Sequence, residues 1–151
     1  VLANFYPESR EGITENTAFL MANLLQGVVD EGTGRRLRFR YGFKNQIGGK
    51  TGTTQNHSDG WFIGITPDLA GGVWVGAEDR SIHFQNLANG QGASMALPIW
   101  ALFMQKVYAD KSLAVPQSDF QKPNGVNHVL DCGDADREGM TDYDSSDEIF
   151  D

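Results

Sequence analysis

Residues 47–79 read IGGKTGTTQNHSDGWFIGITPDLAGGVWVGAED, and apolar character recurs there with a period of two. In the last part Val73, Val75 and Ala77 alternate with Trp74 and Gly76, as in a strand with one face toward a core. Three strands fit this stretch: the glycine-rich 47–54, then Gly60–Thr66, then Gly71–Asp79. The Pro67-Asp68 pair marks a tight turn between the second and third, which predicts an antiparallel hairpin. The polar link Gln55–Asp59 is too brief for a crossover helix, so the first pair is also antiparallel. The expected unit is a three-stranded meander.

A helix is expected on each side of the meander. Upstream, Thr14 is positioned as an N-cap before Glu15. Ala18, Met21, Leu25 and Val28 then recur at helical spacing, with Leu24 and Val29 widening the stripe and Gly32 and Gly34 ending it. Downstream, residues 93–109 predict a second helix with Pro98 in its first turns. Between helix and meander, Arg35, Arg36, Arg38, Arg40 and Lys44 follow one another with no acidic neighbour. They read as a solvated connection near the negative helix end, or as a half-exposed strand interleaved with Leu37, Phe39 and Tyr41, rather than as a nucleic-acid patch. Residues 80–92 read as a loop, and 1–6 as a short entering strand stopped by Pro7.

Charge separates the two ends of the chain. Residues 1–129 hold eleven acidic and eleven basic side chains, whereas 130–151 hold nine acidic and one basic, which supplies the whole net charge of −8. A neutral body with an acidic tail speaks against nucleic acid as a partner. The expected division is therefore 1–120 as the folded portion and 121–151 as an acidic, disordered tail or linker. The single cysteine, Cys132, excludes an internal disulfide framework and an all-cysteine metal site. The longest apolar run, 93–104, is too short to span a bilayer and contains Ser94 and Pro98. With Val1 first and no secretory leader, an excised portion of a longer protein is expected.

The sharpest chemical character lies at Gly48-Gly49-Lys50-Thr51-Gly52-Thr53-Thr54. Glycines permit close backbone approach, while a lysine and three hydroxyls supply charge and hydrogen-bond donors suited to an oxyanion or carboxylate. A phosphate loop would need glycine where Lys44 stands, and a helix where strand patterning follows. The K-T-G element of serine acyl-transferases acting on penicillin-like or D-alanyl substrates fits a strand better. Other constellations are weak. His57, His83 and His128 are dispersed, and His57-Ser58-Asp59 are chain neighbours that rarely converge as a triad. Glu78 and Asp79 point to opposite faces of a strand, so a salt bridge to Arg80 or Arg36 is expected instead. Trp61, Phe62 and Trp74 are expected in the sheet core rather than as a sugar platform.

Three spaced blocks carry a resemblance: residues 14–36 (TENTAFLMANLLQGVVDEGTGRR), residues 42–84 around KTGTTQNHSDGWF, and residues 90–100 (GQGASMALPIW). In this order they resemble the C-terminal part of the transpeptidase domain of class A, bifunctional penicillin-binding proteins, over residues 1 to about 120. The resemblance implies an α+β fold, in which an antiparallel sheet of the KTG strand plus hairpin has helices packed on it. It also implies a fragment of the serine β-lactamase and penicillin-binding transpeptidase fold, with both helices on the same sheet face. By position, Lys50 would give electrostatic and proton-relay support. Thr51, Gly52 and Thr53 would bind substrate, and the Thr53 backbone N–H would form half of an oxyanion hole. No cofactor or metal is implied.

The same family requires a nucleophile in S-x-x-K and a relay in S-x-N. None of the serines has lysine three places on or asparagine two places on, and Ser58-Asp59-Gly60 misses at its last residue. The expectation is a parent enzyme that cross-links peptidoglycan at the periplasmic face of the inner membrane, anchored by an upstream segment, with a glycosyltransferase domain elsewhere. This chain would supply the binding strand and be inactive alone. Its expected partners are stem peptides, β-lactams, the upstream half of the domain, and further copies through an open strand edge. A non-catalytic peptidoglycan- or partner-binding module and a β-lactamase fragment are the alternatives.

Overall fold

The computed structural model describes residues 10–126. The entering strand at 1–6, Cys132 and the acidic tail from 127 onward lie outside the described residues. Strands β1 (Gly48–Thr53), β2 (Asp59–Ile65) and β3 (Ala70–Gly76) form an antiparallel sheet in the order β1-β2-β3. The register sets Thr51 opposite Phe62 and Trp61 opposite Trp74. Thr66 closes the second turn, its N–H donating to Leu69 O at 2.7 Å and its hydroxyl accepting from Leu69 N–H at 3.0 Å. β3 ends at Gly76, short of the predicted Asp79. Asp79 instead turns the chain by accepting from Ser81 N–H at 2.8 Å.

Helix α1 (Glu15–Asp30) begins where Thr14 accepts from Thr17 N–H at 3.3 Å. Its buried positions are Ala22 and Val29, while Met21 and Leu24 of the predicted stripe stay exposed. The arginine-rich segment forms neither a strand nor a plain connection but a short helix, α2 (Arg36–Phe39), whose Leu37 is fully buried. Burial of that one leucine anchors the turn. Arg38 fixes it further, donating to Asp30 at 2.7 Å and to the carbonyls of Phe43 and Asn45 at 3.1 and 2.7 Å. Arg36 donates to Ala93 O at 2.9 Å and Ser94 Oγ at 3.0 Å. These two arginines thus fasten the fold.

Residues 80–92, read as a loop, contain a helical turn, α3 (Leu87–Gly90), capped by Asn86. The expected single helix at 93–109 is two, α4 (Gly92–Met95) and α5 (Leu97–Ala109). Pro98 lies in the first turn of α5, and its missing N–H leaves the backbone bond to the preceding turn unmade.

The core cluster joins Val29, Leu37, Phe43, Ile47, Phe62, Leu97, Trp100 and Met104. Phe62 meets Trp100 edge-on with ring centroids 5.4 Å apart. The Trp100 indole donates to Gly71 O at 3.1 Å. The two long helices occupy opposite faces of the sheet, contrary to the expectation of one shared face. The missing side chain of Gly48 faces Leu25 of α1 and Ile65, and that of Gly64 faces Trp100 of α5. Ile65 and Gly64 are adjacent on β2, and adjacent strand residues point to opposite faces.

Of the three aromatic residues expected in the sheet core, Phe62 alone is buried. Trp61 and Trp74 are 44% and 48% exposed and lie 6.3 Å apart on the Lys50 face, beside the exposed Ile63.

Candidate functional site

The site residues singled out in the sequence share one strand edge. Among the described residues β1 is an outer strand, so one of its sides is not paired there to a neighbouring strand. Gly48 and Gly49 are buried, but Lys50 and Thr53 are exposed and Thr51 and Gly52 half-buried. The edge is thus covered at its start and accessible over 50–53. One step past the Thr53–Gly60 pair, Thr54 N–H donates to Asp59 O at 3.0 Å. Because inward and outward peptide groups alternate along an antiparallel strand, Gly52 and Lys50 also turn inward, toward β2. The N–H and C=O of Thr51 and Thr53 therefore face out along the edge that no described strand pairs with.

The side chains divide about that edge. Lys50 is paired with Ile63 and lies on the exposed tryptophan face, while Thr51 and Thr53 lie on the α5 side. The lysine tip nevertheless reaches the edge, Nζ donating to Thr51 O at 2.7 Å. Thr51 Oγ1 lies 2.8 Å from Thr33 Oγ1, in the turn after α1. Thr53 Oγ1 accepts from Gly92 N–H at 3.0 Å. Gly92 rests on the sheet so closely that any side chain there would overlap the carbonyl oxygens of Gly52 and Trp61.

A second polar cluster shapes the end of β1. The hydroxyls of Thr54 and Ser58 both donate to Asp59 Oδ2 at 3.0 Å. Asp59 N–H returns a bond to Thr54 Oγ1 at 2.9 Å, and the Trp74 indole donates to Asp59 Oδ1 at 3.1 Å. These hydrogen bonds, that from Thr54 first, hold the Asp59 carboxyl below the ordinary carboxylate range against the opposing effect of burial, with a small contribution from Arg80. The Arg80 guanidinium lies 3.9 Å away, so its ion pair is with Asp59 and not with Glu78 or Asp79 as expected. Arg36 is likewise committed to α4.

His57 has no part in this cluster. Asn56 and His57 take consecutive left-handed conformations at φ 59° and 56°, and Gly90 of α3 packs on the His57 Cβ. Ser58 and Asp59 are thus bonded to each other and to Thr54, in support of a polar link rather than a triad. His83 is exposed, its Nδ1 3.0 Å from Phe84 O.

Sequence reasoning brought Lys50, Thr51, Gly52 and Thr53 together but missed Thr33, Gly92 and the Thr54–Asp59–Trp74 cluster. Nothing in the local pattern of Thr33 distinguishes it. The Gly90-Gln91-Gly92 triplet marks a close approach, though not of which surface.

Residues 6–94 match the family described as Penicillin binding protein transpeptidase domain. Penicillin-binding protein 1A of Pseudomonas aeruginosa is 36% identical over 125 residues, covering 81% of this chain and 14% of that protein. Penicillin-binding protein 1A of Aquifex aeolicus is 33% identical over 123 residues, 82% of this chain and 16% of its own length. The crystal structure of penicillin-binding protein 1A from Haemophilus influenzae is similar with a TM-score of 0.61 at 29% identity, over 74% of this chain and 17% of that one. The chain therefore spans less than a fifth of these proteins.

Proposed function

Since the chain belongs to the family of penicillin-binding protein transpeptidase domains, we propose that its Lys50–Thr53 edge is the KTG wall of a D-alanyl-D-alanine transpeptidase site and comes from the C-terminal part of that domain. The observation that carries this reading is the outward-facing peptide of Thr53 on an accessible edge beside two hydroxyls and a lysine. A peptide laid along such an edge gains main-chain hydrogen bonds as an added strand. Its terminal carboxylate accepts from the hydroxyls of Thr51 and Thr53. Its penultimate carbonyl takes the Thr53 N–H, which strengthens as negative charge develops on that oxygen.

Lys50 supplies positive potential at the same place once its ammonium leaves Thr51 O. Gly52 carries no side chain to hold the substrate backbone away.

The acyl-accepting serine is not in this sequence, where no S-x-x-K occurs. In our proposal it belongs to another part of a longer protein, attacks the D-alanyl carbonyl, expels D-alanine and passes the acyl group to an amine of a second stem peptide. Penicillins are the corresponding inhibitors. The expected setting is the periplasmic face of the inner membrane. Among the described residues no helix is long and apolar enough to cross a membrane.

A fluorescent penicillin tests the reading. The 151-residue chain alone should remain unlabelled, whereas the chain extended upstream through an S-x-x-K segment should label covalently and lose most of that labelling with Lys50→Ala. Labelling of the isolated chain would overturn the assignment of the nucleophile. An extended chain that binds peptidoglycan peptides without ever being acylated would favour a non-catalytic binding module.

A further inference from the structure

The amide of Gly92, in the first turn of α4, donates to Thr53 Oγ1 at 3.0 Å. Gly92 is buried and Thr53 exposed, so this bond approaches the edge from inside the protein. A hydroxyl carries one proton and two acceptor sites. An amide is a donor alone, so it occupies an acceptor site of Thr53 and leaves the hydroxyl proton for a different partner. Thr51 is held differently: its neighbour is the Thr33 hydroxyl, where either oxygen is able to donate.

The close seat of Gly92 on Gly52 and Trp61 fixes the position of its N–H, since the backbone has no room to shift toward the sheet. We propose that Gly92 is a positioning residue, whose amide holds the Thr53 hydroxyl from behind so that its proton is presented outward to the carboxylate of the bound peptide. This inference rests on the edge being the peptide-binding wall. A carboxylate accepts hydrogen bonds and cannot donate, and as a charged acceptor it takes a stronger bond from a hydroxyl fixed as a donor than a neutral carbonyl does. Accepting that proton polarises Oγ1 and strengthens the bond from Gly92, because linked hydrogen bonds reinforce one another.

The test is an amide NMR titration of the 15N-labelled chain with diacetyl-lysyl-D-alanyl-D-alanine and with the same peptide as its C-terminal amide. The acid peptide should move the Gly92 amide proton downfield together with the amides of Thr51 and Thr53, and the amidated peptide, whose terminal carbonyl is a neutral and weaker acceptor, should move Gly92 clearly less. Thr53→Val, close in shape but without the hydroxyl, should abolish the Gly92 response and weaken binding about tenfold. Thr53→Ser should retain both.

If the acid peptide moves the Thr51 and Thr53 amides while Gly92 stays still, the positioning role is wrong and the wall reading stands. If Thr53→Val binds as tightly as the unaltered chain, the positioning role is wrong and the Thr53 hydroxyl also drops out of the wall, which then rests on its main-chain bonds and Thr51. If neither peptide moves any amide from Lys50 to Thr53, the wall reading fails and this inference fails with it.

Discussion

Trp100 lies across the bare backbone of Gly64, where an added Cβ would stand 2.5 Å from Trp100 Cζ2. Adjoining ring atoms are nearly as close, and Trp100 is itself held by its indole bond to Gly71 O. Gly64→Ala should therefore overpack the interface of α5 and the sheet and destabilise the chain by about 1–3 kcal/mol. Gly72→Ala, whose Cβ would meet Ile63 Cγ1 at an ordinary 3.5 Å, should stay within about 0.5 kcal/mol. Urea denaturation of the two variants measures the difference. Equal losses would mean that the contact between Gly64 and Trp100 does not control the packing.

Leu37 is the buried anchor of the arginine-rich turn. Leu37→Ala should cost about 2–5 kcal/mol, the range for emptying a buried leucine site. The exposed Arg35→Ala should change stability by no more than about 0.5 kcal/mol. A reversed order in thermal or urea unfolding would restore the plain solvated connection as the description of this segment.

Asp59 gives the β1–β2 link a dependence on pH. Its folded-state pKa lies below the ordinary value of about 3.9, chiefly because Thr54 and then Ser58 hydrogen-bond the ionised form. Its stabilisation is therefore complete at neutral pH and disappears as pH falls from the unfolded value through the depressed folded one. Asp59→Asn should melt at a lower temperature than the unaltered chain at pH 7, and the two melting curves should begin to converge as pH falls below about 4 and meet only below the depressed folded-state value. A difference that is constant with pH would remove the carboxylate from the stability of this turn.

The exposed face bearing Trp61, Ile63 and Trp74 adjoins an edge strand whose outward peptides have no strand partner among the described residues. Bare edges and contiguous apolar surface both favour association. Light scattering should show the apparent mass of the chain rising with concentration, and Ile63→Lys, at a position 50% exposed, should reduce that rise without unfolding the protein. A constant monomer mass at high concentration would show that neither feature drives self-association.

The position of α1 and the order of the three strands were legible because each rests on neighbours in the chain. Thr14 caps α1 locally, and the alternation with short links at 55–59 and 67–68 forces a meander. The segments misread are those whose local pattern is too short to decide. Four residues at Arg36–Phe39 suit a strand as well as a helical turn, and burial of Leu37 against the core selects the turn. Pro98 was visible but the break before it was not, since a proline in a first turn is compatible with one helix or with two. At the site, the lysine and its neighbouring hydroxyls were readable because they are contiguous, whereas Gly92 meets Thr53 across 39 residues.

By itself, then, the sequence determined α1, the meander and the contiguous strip from Lys50 to Thr53, because periodicity, capping and turn chemistry act over a few residues. Tertiary structure alone decided that α1 and α5 take opposite sheet faces, that Asp59 rather than Glu78 or Asp79 meets Arg80, and that Gly92 backs Thr53. Those choices depend on which distant surfaces fit closely enough to exclude water, and glycines such as 64 and 92, with no side chain of their own, reveal their partners only when the two surfaces are in contact.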